Sequence, residues 1–274
     1  MKRLFALIPL FITLSLSAQD IIEKEDLQTA LSMLEEARNA ENDSLRIIMA
    51  DKAFDNFCTV VYIDDHMNYQ FKDINPVSVL TSPDKLFRIF TWGLQLSDGN
   101  YRYYGLAEYN VYGDVLTRTL YDHSDETPDP VHADMQPGNW YGAIYYEIAQ
   151  IGGKKSNTYA LAGWDGGDLF VNRKVLEQVQ FYTEDGGNLR FGGSFVDEHG
   201  KSSKRLIFEF TERAVMSLRY DKKLKMFVAD HLAAPAEYKG NTKYMGPDGS
   251  FDGYKYDKGG WMYLPDLDVK APRF

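Results

Sequence analysis

The chain has 274 residues, 40 of them acidic and 30 basic, for a formal net charge of −10 at pH 7, a balance that disfavours nucleic acid and anionic membrane surfaces as partners. Its one cysteine, Cys58, rules out an internal disulfide and a cysteine-based zinc site. With 19 Tyr, 16 Phe and 4 Trp, the composition favours strands and half-buried aromatic surfaces.

At the N-terminus Lys2 and Arg3 precede an apolar run, Leu4 to Leu16, and then Ser17 and Ala18. This reads as a secretory signal peptide over residues 1–18, cleaved after Ala18. No cysteine stands directly after the cleavage point, Cys58 being forty residues further on, so the expected product is unlipidated and lies in the periplasm or outside the cell. No later run is long and apolar enough for a transmembrane helix.

Residues 19–58 predict a helical hairpin. Leu27, Leu31 and Leu34 recur at helical spacing, and after a break at Asn42-Asp43-Ser44 a second run carries Leu45, Ile48, Met49, Ala53 and Phe57. Asp43 or Ser44 is the expected cap of the second helix, and Cys58 is expected in a core.

Residues 59–274 predict an antiparallel β domain packed with the hairpin as one unit. From Val77 onward, strand-like runs alternate with turns such as Ser97-Asp98-Gly99-Asn100, Glu184-Asp185-Gly186-Gly187 and Asp257-Lys258-Gly259-Gly260. The glycines supply the positive φ that tight hairpins need. The fold class is therefore mainly β, a large antiparallel meander closed as a barrel or packed as a sandwich. Its centre is a hairpin from Asn139 to Gly167 with arms Trp140–Ala149 and Thr158–Trp164. Both arms are apolar on both faces, which predicts central rather than edge strands. Two long loops are expected, Asp122–Gly138 and Ala233–Pro247. Ser82-Pro83-Asp84-Lys85 and Gly246-Pro247-Asp248-Gly249 read as type I turns.

Asn-Asp-Ser-Leu-Arg (42–46), Ser-Pro-Asp-Lys-Leu-Phe-Arg-Ile-Phe (82–90), Asn-Trp-Tyr-Gly-Ala-Ile-Tyr-Tyr-Glu (139–147), Gly-Trp-Asp-Gly (163–166), Asp-His-Leu (230–232) and Gly-Pro-Asp-Gly-Ser-Phe-Asp-Gly (246–253) form a pattern along the chain. It resembles a group of secreted proteins of Bacteroidota with no known activity. The resemblance implies compartment and single-unit architecture and assigns no catalytic residue.

The chain lacks Gly-x-Ser-x-Gly and His-Glu-x-x-His, which removes the elbow serine hydrolases and the zinc proteases. Among the histidines, Asp230-His231 at a strand end and Asp64-Asp65-His66 are the strongest candidates for chemistry. Glu147 is the glutamate whose aromatic neighbours would bury it and raise its pKa, as an acid catalyst of glycan cleavage requires; an outward strand residue or a paired structural carboxylate is the plainer reading. Trp92, Trp140, Trp164 and Trp261 each lie beside or near glycine, as packed corners or as an exposed platform.

Two glycine-flanked acidic stretches stand out. Trp164, Asp165 and Asp168 lie in the first, and Asp248, Phe251 and Asp252 in the second. They are expected to meet as one binding surface, with calcium as an optional ligand. The leading expectation is a non-catalytic binding module for a protein or glycan of the cell envelope. The alternative is an envelope hydrolase acting on glycan or peptide, which would bring two carboxylates, or a histidine and a carboxylate, into one pocket. An outer-membrane barrel is disfavoured, because Asp266, Asp268, Lys270 and Pro272 cannot face lipid.

Overall fold

The computed structural model describes residues 18–61, 71, 74–184, 187–196 and 200–269, with side chains from Glu25 onward. The expected signal segment ahead of Ala18, Asp64-Asp65-His66, Asp185-Gly186, His199 and residues 270–274 lie outside the described residues. No described helix is long and apolar enough to cross a membrane.

Two helices, α1 (Ala18–Arg38) and α2 (Asp43–Val61), form the hairpin. Asn42 caps α2, its Oδ1 accepting from the Leu45 N–H at 3.0 Å. Neither Asp43 nor Ser44 has that role. Asp43, one residue too far into the first turn, reaches away to the Ser97 N–H at 3.0 Å and ties the hairpin to the turn after β2.

The next four strands are β1 (Ser78–Thr81), β2 (Phe87–Gln95), β3 (Tyr101–Val111) and β4 (Asp114–Tyr121), and they form one meander sheet. Then come β5 (Ile144–Ile151), β6 (Thr158–Asp165), β7 (Val171–Tyr182), β8 (Asn188–Phe191), β9 (Phe195–Val196), β10 (Ser202–Ser203) and β11 (Arg205–Thr211). The second sheet runs β11-β7-β6-β5, with β8 also on β7, and β9 and β10 make a separate ribbon. The third sheet is β12 (Leu218–Asp221), β13 (Met226–Ala233), β14 (Gly246–Asp257) and β15 (Gly260–Leu264), in that order. All strand pairs are antiparallel. The expected meander is thus divided among open sheets, and none closes into a barrel.

Period-2 alternation explains how the sheets stack. On β2 and β3, Phe90, Trp92, Leu94, Tyr104 and Leu106 face the helices and meet Leu34, Ala53 and Phe57. The opposite face, with Phe87, Ile89, Tyr103 and Tyr109, meets Tyr159, Leu161, Val175 and Phe181 of the second sheet. That sheet turns Ala160, Ala162, Leu176 and Phe210 towards Leu218, Phe227, Ala229 and Trp261 of the third. The order is helices, first sheet, second sheet, third sheet. Each buried Leu or Phe adds about 1.5–3 kcal/mol relative to exposure.

This stacking corrects the reading of the hairpin 139–167. Its second arm, β6, is central, but β5 ends its sheet and begins at Ile144 rather than Trp140. Edge strand β5 is apolar on both faces because a sheet covers each face. Its free edge is closed by side chains of the first sheet: the Tyr145 N–H donates to Thr91 Oγ1 at 3.0 Å, and Ser78 Oγ donates to the Tyr145 carbonyl. Residues 246–249, expected as a turn, belong to β14. The stretch before them holds two short 3-10 turns, Ala236–Tyr238 and Thr242–Tyr244. Trp92, Trp140 and Trp261 are buried core residues rather than platforms.

Candidate binding cleft

β6 ends at Asp165, and the chain beyond it folds back into a tight turn. Asp168 Oδ1 accepts the N–H groups of Phe170 and Val171, at 2.7 and 3.1 Å, and so holds the turn into β7. Gly166 and Gly167 are required here. A Cβ on Gly166 would lie 2.1 Å from the Tyr101 ring, and Gly167 has φ +58° with the Val171 carbonyl oxygen 2.1 Å from where a Cβ would stand.

The turn forms one wall of a cleft of about 420 Å³ between the first two sheets. Asp165 lies on its floor, 5% exposed. Oδ1 accepts from Tyr103 Oη at 2.8 Å and from the Gly167 N–H at 2.9 Å. Oδ2 accepts from Tyr141 Oη at 2.7 Å and from Arg173 Nη1 at 3.3 Å. A carboxylate has about four lone-pair directions, and these donors occupy all of them. Asp165 therefore organises the cleft and has none left for a metal ion or a substrate proton. Burial, and then the Asp165 charge, raise both phenols far above their ordinary pKa, so they remain donors.

Arg173 also reaches Glu209, Nε to Oε1 at 2.9 Å. Burial alone would lower its pKa, but Asp165 and Glu209 outweigh this and raise it. One cation therefore answers two carboxylates. Behind the floor, Glu177 and Arg205 form a fully buried pair at 2.6 Å. Tyr145 donates to Glu177 at 2.5 Å and in turn accepts from Trp140 Nε1 at 2.9 Å. Arg205 also donates to the carbonyls of Pro130 and Ala133, and this pins the irregular segment that supplies the cleft wall.

The rim differs from the floor. Asp125 is exposed and borders the cleft. Its pKa is raised by partial burial, then by Asp122 and Asp165, with Arg173 offsetting part of the effect. Beyond Tyr101, Tyr103, Ser124 and Asp125 the space continues into a second hollow of about 680 Å³, also bordered by Asp51, Asp55, Asp98 and Glu126.

The expected site residues divide between places. Asp165 and Asp168 border the cleft. Trp164 is half-buried with its ring edge-on to Tyr101, centroids 5.1 Å apart. Asp252 borders a different cavity, of about 280 Å³, together with Asp230 and His231. Asp248 is exposed and accepts from Ser250 N–H and Oγ at 2.9 and 2.7 Å; these bonds, the backbone one first, lower its pKa. Phe251 is half-buried opposite Asp230 on β13. The first stretch borders one cavity and Asp252 of the second borders another, and the two cavities share Ile207 and Glu209 of β11. For calcium, no three His, Cys, Asp or Glu converge at a metal-sized point among the described residues.

His231 pairs with Asp252, Nδ1 to Oδ2 at 2.8 Å, and not with its neighbour Asp230. The partner comes from β14, at the point where a bulge interrupts the pairing of β13. The Asp230 carboxylate accepts the Ser217 N–H at 2.7 Å, and burial raises its pKa. Glu147 is part-buried and accepts the Tyr220 N–H at 2.8 Å. Burial raises its pKa, but the bond to Tyr220 gives it a structural partner.

Tyr101, Tyr103, Tyr141, Arg173 and Asp125 are not evident in the sequence as a group. The one local signal is the spacing of Tyr101 and Tyr103, which puts both on one face of β3. Compared with known proteins, the chain matches no family model, no curated protein and no solved structure.

Proposed function

We propose that this chain is a secreted or periplasmic, non-catalytic binding protein whose cleft receives a positively charged side chain of a protein or peptide partner. The observation that carries the reading is the acidic rim, where Asp51, Asp55, Asp98, Asp125 and Glu126 border the adjoining hollow. Partial burial and the neighbouring carboxylates Asp122 and Asp165 raise the Asp125 pKa, while Arg173 is already answered by Asp165 and Glu209. A ligand ammonium or guanidinium would supply the missing charge, and the Tyr101 ring offers it a π face. The secreted compartment rests on the N-terminal residues 1–18 alone.

Calorimetry with tri-lysine and tri-glutamate separates the outcomes. Tri-lysine is expected to bind, tri-glutamate is not, and Asp125→Asn is expected to weaken the binding several-fold. Equal affinity for both peptides, or none for either, contradicts the reading.

A second reading, an envelope hydrolase, draws on a different observation: His231 and Asp252 meet at 2.8 Å beside the 280 Å³ cavity, at a β-bulge in β13. Bulges often re-aim side chains at active sites. Release of soluble fragments from cell-wall glycan or peptide that His231→Ala abolishes, with tri-lysine binding unchanged, would favour it.

A further inference from the structure

Lys174 lies on β7, on the face opposite Arg173. Its register partners, which share its face, are Trp164 of β6 and Phe208 of β11. Its Nζ stands 4.3 Å from the centre of the Tyr146 ring. Tyr146 is 38% exposed and Lys174 half-buried, so the pair lies at the surface rather than in the core. Its neighbour Arg173 meets two carboxylates, whereas among the described residues Lys174 has no carboxylate or hydrogen-bond acceptor. Of the three aromatic neighbours only Tyr146 titrates, and its phenol donates to the Leu218 carbonyl at 2.9 Å.

A half-buried ammonium with no carboxylate beside it lacks the counter-charge that normally keeps a lysine charged, and the Tyr146 π face offsets only part of that loss. We propose that Lys174 is a covalent capture site for aldehydes, its aromatic flanks favouring those that carry a flat ring. The neutral amine's lone pair attacks the carbonyl carbon, a proton passes from nitrogen to oxygen, and the carbinolamine loses water to give the imine. Nothing is oxidised or reduced. Desolvation lowers the Lys174 pKa to about 8, against 10.5 for an ordinary lysine. At neutral pH this raises the free-amine fraction about 300-fold, of which half-burial will remove a part.

The test uses the full chain, benzaldehyde as the probe, cyanoborohydride to reduce and trap the imine, and peptide mapping by mass spectrometry. At pH 7.5 Lys174 is expected to be labelled at least tenfold faster than Lys154 and Lys155, which are exposed, with a rate that rises to a midpoint near pH 8. Labelling of Lys174 at or below the rate of Lys154 overturns the proposal, and this comparison needs no variant. Tyr146→Glu adds the missing counter-charge; in a folded variant it is expected to bring the Lys174 rate down to that of Lys154. An unchanged rate would show that the missing counter-charge is not what activates the amine.

Discussion

Asp165 on the floor of the cleft accepts from Tyr103, Tyr141, Gly167 and Arg173. Asp125 on its rim is exposed and meets no hydrogen-bond donor or ion-pair partner among the described residues, and its pKa is raised by partial burial and then by Asp122 and Asp165. The same chemical group is thus scaffold in one place and unsatisfied in the other. A buried, satisfied carboxylate costs stability when removed and binds nothing further, whereas an exposed one without a protein partner costs little and is where a ligand gains most. Glu108, between the helices and the first sheet, extends the comparison. It is fully buried, with Arg88 Nη1 at 3.4 Å and no hydrogen bond to either carboxylate oxygen among the described residues.

The sharpest way to break the comparison is to remove the floor. Asp165→Ala leaves two buried phenols and part of Arg173 without an acceptor, so it is expected to destabilise the protein by about 3–5 kcal/mol. Urea denaturation checks this, and a loss below about 1 kcal/mol would show that the floor is not the scaffold.

Next comes Glu108. Burial pushes its pKa up to about 7, with Arg88 offsetting part. An acid whose folded pKa is raised favours folding while protonated. Its contribution is therefore full below the unfolded value of 4.5 and is lost as pH rises through 7. That loss is on the order of 3 kcal/mol, and Glu108→Gln is expected to flatten this part of the stability–pH curve.

Gly166→Ala is expected to cost about 1–3 kcal/mol, because the new methyl overlaps the Tyr101 ring. Thermal melts measure it, and tri-lysine affinity should fall with the displaced ring. The smallest effect belongs to the rim. Asp125→Asn is expected to leave the melting temperature within a degree or two, while costing about 1 kcal/mol in tri-lysine binding.

The sequence makes the strands and turns legible because their signals are local. Asp257-Lys258-Gly259-Gly260 marks the β14–β15 hairpin, and the apolar alternation marks β2 and β3. The division into three sheets is hidden, since alternation identifies a strand but not its neighbour. Strand β5 shows the ambiguity: apolar faces on both sides follow equally from a central position and from an edge between stacked layers. The cleft is hidden for a related reason. Tyr103 and Asp165 are 62 residues apart, and the donors that complete Asp165 come from three separate stretches. Asp165 and Asp168 could be singled out as glycine-flanked acids, but not the partners that decide their roles. His231 misleads because its partner, Asp252, lies 21 residues away on β14 and not beside it in the chain.

The most direct test of the cleft as a cation site is the pH dependence of tri-lysine affinity, measured by calorimetry in buffers of differing ionisation heat. A bound ammonium favours the charged form of Asp125, so affinity should strengthen as pH rises through the raised Asp125 range. Binding should release protons there, and both effects should vanish in Asp125→Asn. Affinity that does not change with pH, or that is tighter in acid, would contradict the account.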